Sequence, residues 1–138
     1  LGVCKINRNC AYKNQTCDAH RGDTPLTVNP WLYSSIAEIS YHQGTGEIYS
    51  DNPQINTDLT ITLNLNCLDA RLPLNRKAAL DSMKKYMINK CKTGLWNDAL
   101  LNKIRQEYLC KDSQGKYKPY IGILLWYINK KASGSNKE

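Results

Sequence analysis

The sequence predicts an α+β domain: a small antiparallel sheet with helices packed on one face, stapled by disulfides. Three observations point there. Two stretches in the second half place apolar residues at helical spacing, other stretches alternate or run apolar in the manner of strands, and six cysteines make an even set. At 138 residues the chain suits one domain. A domain of that size buries roughly 70% of its unfolded surface, so a real core is within reach.

Residues 1–28 read as a cysteine-dense leader, punctuated by Gly, Asp, Asn and Pro and tied to a body over 29–129. Asn29-Pro30 is a helix start, a capping side chain followed by proline at the first helical position, and predicts a helix over 30–42. A short strand is predicted next, over 46–50. Ile39, Tyr41, Ile48 and Tyr49 around Gln43-Gly44-Thr45-Gly46 also fit a hairpin, and that alternative stays open. Leu59, Ile61, Leu63, Leu65 and Cys67 alternate with Thr60, Thr62, Asn64 and Asn66, a strand pattern with one wet face. Residues 75–91 are a helix, with Ala79, Leu80, Met83, Tyr86, Met87 and Cys91 in one arc. Residues 98–109 are another, capped by Asn97, with Leu100, Leu101, Ile104 and Tyr108 on one side. Residues 120–128 are rich in Ile, Leu, Trp and Tyr and read as a central strand. Polar, small residues over 130–138 read as a flexible tail.

Cys4, Cys10, Cys17, Cys67, Cys91 and Cys110 are expected to be three structural disulfides, which sequence can pair in 15 ways. The leader has no apolar face of its own, so at least two of its three cysteines are expected to bond to Cys67, Cys91 or Cys110. Metal binding is disfavoured, because there is no C-x-x-C pair and the histidines are His20 and His42 alone. Neither a metal nor a cofactor is expected. Disulfides imply an oxidising compartment, hence a secreted, extracellular chain. The triplet Asn14-Gln15-Thr16 makes Asn14 a glycosylation candidate. The longest apolar run, residues 123–128, falls far short of the ~20 residues that span a bilayer.

Charge is unevenly placed. Residues 1–69 hold four basic and seven acidic residues, residues 70–138 fifteen and five, within a formal net charge of +7. A basic C-terminal half can steer a polyanion or an acidic partner. The candidate binding surface is Lys77, Lys84, Lys85, Lys116, Lys118, Tyr117 and Tyr120, lysines interleaved with rings. The plainer reading of the same residues is a solvated lysine surface over strand residues packed in the core.

No catalytic residue is assigned. There is no G-x-S-x-G turn, and Gly44-Thr45-Gly46 lacks the lysine and helix of a phosphate loop. A two-histidine ribonuclease would need His20 and His42 to meet, and no spacing brings them together. Arg21-Gly22-Asp23 matches the tripeptide that integrins read, and reads equally as an ordinary turn.

In size, cysteine content and α+β make-up the chain resembles small secreted effectors of plant-pathogenic fungi. The opening Leu1-Gly2-Val3-Cys4 with Cys10 is similar to the start of a virally encoded fungal killer toxin. The make-up also resembles the Leptosphaeria avirulence-and-suppressing set, although no tryptophan here is followed by the arginine of that set's motif. The resemblance implies a secreted effector, avirulence- or toxin-like, that binds a host protein such as a receptor or defence component, in the host apoplast or inside the host cell. The alternatives are a secreted hydrolase using His20 and His42, and a polyanion- or carbohydrate-binding module.

Overall fold

A computed structural model of the chain describes residues 14–91 and 96–135. Cys4 and Cys10 lie outside the described residues. The architecture is α+β, with six α-helices and one two-stranded antiparallel sheet among the described residues. The chain divides after Lys77 into two compact units, essentially residues 3–77 and 78–138.

The N-terminal unit begins with helix α1, Cys17–Arg21, and reaches helix α2, Tyr33–Ala37. The helix expected over 30–42 is thus a single turn, and the hairpin alternative describes residues 39–50. Strand β1, Ile39–Tyr41, pairs antiparallel with β2, Ile48–Ser50, placing Tyr41 opposite Ile48. The intervening turn ends at Gly46, whose φ of 77° favours glycine. A Cβ at Gly46 would collide with the Pro73 carbonyl and stand 2.8 Å from the Lys77 nitrogen. Glycine is therefore required twice over at this position.

The strand expected from the alternation over 59–67 is not formed. Asn52 caps helix α3, Pro53–Thr57, by accepting hydrogen bonds from the Gln54 and Ile55 amides, and Pro53 occupies its first turn. The chain then winds on as a π-helical turn, Asp58–Thr62. Ile55 and Leu59, four residues apart, enter the core beside Val28 and Ile48, while Ile61 stays exposed. Helical spacing across the start signal outweighs the alternation beyond it.

Two buried charges lock this unit. Asp58 Oδ2 accepts hydrogen bonds from the Thr27 and Val28 amides at 2.6 and 2.7 Å. Arg76 donates to the Gly46 carbonyl at 3.0 Å, to Asn66 Oδ1 at 3.3 Å and to the Leu65 carbonyl. The Asn66 side chain in turn bonds both backbone polar groups of Ile48, each at 2.9 Å, as a neighbouring strand would.

Helix α4, Leu72–Lys90, matches the predicted arc: Leu80, Met83, Met87 and Cys91 are buried. Helix α5, Asp98–Leu109, is capped as expected by Asn97, which accepts from the Leu100 amide at 2.8 Å, and buries Leu101 and Ile104. The segment expected as a central strand is instead helix α6, Ile121–Ser135, which also takes up residues expected in the tail. Ile123, Leu124, Tyr127 and Ile128 are buried on it, a helical spacing. A continuous apolar run has no period of its own, and it suits a buried helix as well as a buried strand.

The cysteines depart from the expected pairing. Cys67 and Cys91 are buried thiols and Cys110 is an exposed one. No two described cysteines stand at disulfide distance. Among the described residues no leader-to-body bridge to Cys67, Cys91 or Cys110 is formed. One backbone and one side-chain hydrogen bond dock the described part of the leader. The Cys17 amide donates to the Leu63 carbonyl at 2.8 Å and Asn64 donates to the Gln15 carbonyl at 2.9 Å.

Candidate functional site

Charge separates the two units more sharply than it separates the halves of the sequence. Residues 3–77 hold seven basic and seven acidic residues; residues 78–138 hold twelve and five. The entire net charge of +7 therefore resides in the C-terminal unit.

In that unit lysines lie over aromatic rings. On α4 and α6 the pairs come from helical spacing: Tyr86 carries Lys90 at 5.4 Å, Trp126 carries Lys130 at 5.1 Å and Tyr127 carries Lys131 at 5.6 Å. In each pair the lysine follows its ring by four residues, one turn along the same face. Lys84 of α4 approaches the Tyr127 ring of α6 to 5.0 Å and so ties the two helices. Beyond α5, Lys118 lies 5.1 Å from the Tyr108 ring and Lys111 4.9 Å from that of Tyr117. A ring quadrupole steadies an ammonium without neutralising it. These lysines are thus positioned while their charge stays uncompensated by the ring.

The Tyr86 and Tyr108 rings meet edge to face at 6.0 Å, which joins two of the pairs into a row: Lys90, Tyr86, Tyr108, Lys118. The Tyr86 hydroxyl donates to Glu107. That hydrogen bond to a carboxylate, with burial and the Glu107 charge, raises the Tyr86 pKa. Burial, followed by Tyr86 and Glu107, raises that of Tyr108. Both hydroxyls stay neutral at physiological pH, so the row is cationic at its lysines. A groove of about 270 Å³ between α5 and α6 is lined by Asp98, Leu101, Asn102, Arg105, Ala132 and Ser133. Its guanidinium is engaged, since Arg105 donates to Asn102 at 3.0 Å and to Asn129 at 2.6 Å.

The residues singled out from sequence divide. Lys84, Lys118 and Tyr117 belong to the ring-and-lysine pairs. Lys85 and Lys116 are exposed in the same unit, and Tyr120 is half-buried just before α6. Lys77 is the last residue of the other unit. Lys90, Lys111, Lys130 and Lys131 fall outside the surface expected from sequence. An aromatic residue followed four positions later by lysine, within a helix, is the signal that finds three of them.

The remaining candidates lie in the neutral unit. His20 Nδ1 is 2.9 Å from the Thr62 carbonyl, and His42 stacks on Tyr49 with centroids 4.3 Å apart. Each imidazole is thus set by its own partner. Arg21 ends α1 and lies 3.7 Å from Asp18, Gly22 turns the chain at φ 57°, and Asp23 is exposed. Asn14 is half-buried, and its carbonyl faces the Cys67 sulfur at 3.9 Å. Among the described residues no three His, Cys, Asp or Glu side chains gather to hold a metal, and no helix is long and apolar enough to cross a membrane.

Comparison with family models, curated proteins and solved structures finds no match.

Proposed function

We propose that the protein is a secreted, effector- or toxin-like binding protein whose C-terminal unit engages an acidic host protein or another polyanion. The observation that supports this reading is the confinement of the net charge to residues 78–138, with lysines set over Tyr86, Tyr108, Tyr117, Trp126 and Tyr127. Lysines already ordered on a ring lose less side-chain freedom when they meet an anion, and immobilising such a chain otherwise costs about 0.5–1.5 kcal/mol. Clustered positive charge also speeds encounter with an anionic surface. Because the rings already carry ammonium groups, recognition rests on charge more than on stacking against open ring faces.

The test is binding of the whole chain to a sulfated polysaccharide and to poly-glutamate across about 50–300 mM salt. Affinity is expected to fall steeply with salt, as counterion release requires. Replacing Lys90, Lys111, Lys118 and Lys130 together by glutamate is expected to weaken binding about 100-fold or more, since each reversal exchanges an attraction for a repulsion. Binding indifferent to salt and to these four substitutions would sink the reading. Turnover of RNA by the wild type, lost in His20→Ala or His42→Ala, would replace it with the hydrolase alternative.

A further inference from the structure

We propose that the segment around Trp31 and Tyr33 is an anchor that seats the N-terminal unit in the interfacial layer of a zwitterionic lipid bilayer. Large apolar side chains on a protein surface normally stand singly. Here four fall within six residues: Trp31 is 92% exposed and Tyr33 80%, with Leu32 and Ile36 exposed beside them. Leu32 and Ile36 lie one helical turn apart, the Ile36 amide donating to the Leu32 carbonyl at 3.3 Å, so they share a face.

The segment is tied down at both ends. Before it, Val28 is buried in the core cluster and its amide donates to Asp58 at 2.7 Å. After it, Ile39 opens β1 and packs against the same cluster. The rings are therefore held out by an anchored loop and do not belong to a fraying end.

Charge, side-chain chemistry and backbone all select lipid as the occupant. Residues 24–37 carry no charged side chain, which matches a headgroup layer without net charge and gives an acidic or basic partner nothing to pair with. Tryptophan and tyrosine join an apolar body to a polar N–H or O–H, and the boundary between headgroups and acyl chains accommodates both. The Trp31 amide donates to Asn29 Oδ1 and the Leu32 amide to the Asn29 carbonyl, both at 3.0 Å. The Ser35 and Ile36 amides donate to the Leu32 carbonyl, and Pro30 has no N–H. Donors satisfied within the segment are not stranded when it leaves water. A second copy of the chain fits less well. At ~150–250 Å² for a whole aromatic side chain, the four present on the order of 500 Å², short of the ~800 Å² per partner in a stable protein interface.

The experiment is flotation of the whole chain with phosphatidylcholine vesicles, with tryptophan emission recorded on the same samples. The chain is expected to float with the vesicles equally well across about 50–500 mM salt, because screening acts on charge. Its emission is expected to move to shorter wavelength. Trp31→Ala combined with Tyr33→Ala is expected to lower partitioning about tenfold or more and to remove the emission change. Both side chains are exposed, so this variant is expected to keep the wild-type urea midpoint. Leu68→Ala, at an exposed leucine outside the segment, is expected to partition as the wild type does. Absence of flotation would overturn the proposal, as would flotation that survives the double substitution or that Leu68→Ala weakens equally. Dimerisation that the double substitution abolishes would assign the patch to a second copy and overturn it too. A vesicle without net charge gives the lysines of residues 78–138 no polyanion, so this outcome is independent of the proposed polyanion binding.

Discussion

Residues 3–77 close their interior around charges taken out of water, whereas residues 78–138 close theirs with apolar side chains and leave their charge outside. In the first unit Asp58 and Arg76 are 5% and 6% exposed, and each is satisfied by backbone groups that fix where the chain runs. In the second, Leu80, Met83, Met87, Leu101, Ile104, Ile123 and Ile128 are all but fully buried. Its twelve basic residues exceed its acidic residues by seven. A small sheet of three-residue strands offers little apolar area, and hydrogen bonds to buried charges supply the order that packing does not. Three longer helices bury enough apolar surface to leave their lysines for the exterior.

The largest effect is expected at the turn of the first unit. Gly46→Ala drives a Cβ into the backbone of α4 at a positive φ, and a loss of about 4 kcal/mol or more is expected in urea unfolding. Full stability in that variant would break the account of the turn. In the second unit Leu80→Ala, at a side chain of 0% exposure, is expected to cost about 3 kcal/mol through the cavity it leaves. Asp58→Ala orphans the Thr27 and Val28 amides and is expected to cost about 2–3 kcal/mol. If Asp58→Ala is neutral while Leu80→Ala is not, the contrast between the units is wrong at its polar end.

Legibility in the sequence runs along the same division. Helices α4 and α5 are legible because their apolar residues repeat at 3.6 and Asn97 marks a start, and a unit built on packing advertises itself by period. The N-terminal unit is less legible. Beside its small apolar cluster it relies on long-range polar contacts, such as Arg76 to Gly46 and Asp58 to Val28, and no local pattern encodes them. The alternation from Leu59 to Cys67 is real, but its first residues belong to a helical segment started by Asn52-Pro53 and ending at Thr62, and the rest lie in the turns beyond it. Helix α6 reads as a strand because Ile121 to Ile128 is apolar nearly throughout. Of the candidate surface, composition finds Lys84, Lys118 and Tyr117, while the four-residue spacing from ring to lysine is a signal that composition does not use.

Two smaller effects sharpen the comparison. Burial holds the Tyr41 pKa above its ordinary value of 10, and the Arg76 charge partly offsets the rise. The unfolded chain therefore ionises Tyr41 first. Its contribution to stability is whole below pH 10 and is lost as pH rises from there through the higher folded value. Tyr41→Phe is expected to flatten that alkaline decline, as read from urea midpoints across the range. Lys130→Gln removes a charge from the Trp126 ring and is expected to change stability by less than about 0.5 kcal/mol. The same change is expected to weaken polyanion binding measurably.

The most direct measurement is an amide NMR titration of the whole chain with a sulfated polysaccharide at low salt. The predicted result is shift changes confined to residues 78–138, strongest near Lys90, Tyr108, Lys118 and Lys130. Changes centred on residues 14–77, or none at saturating polyanion, would contradict the assignment of binding to the basic unit.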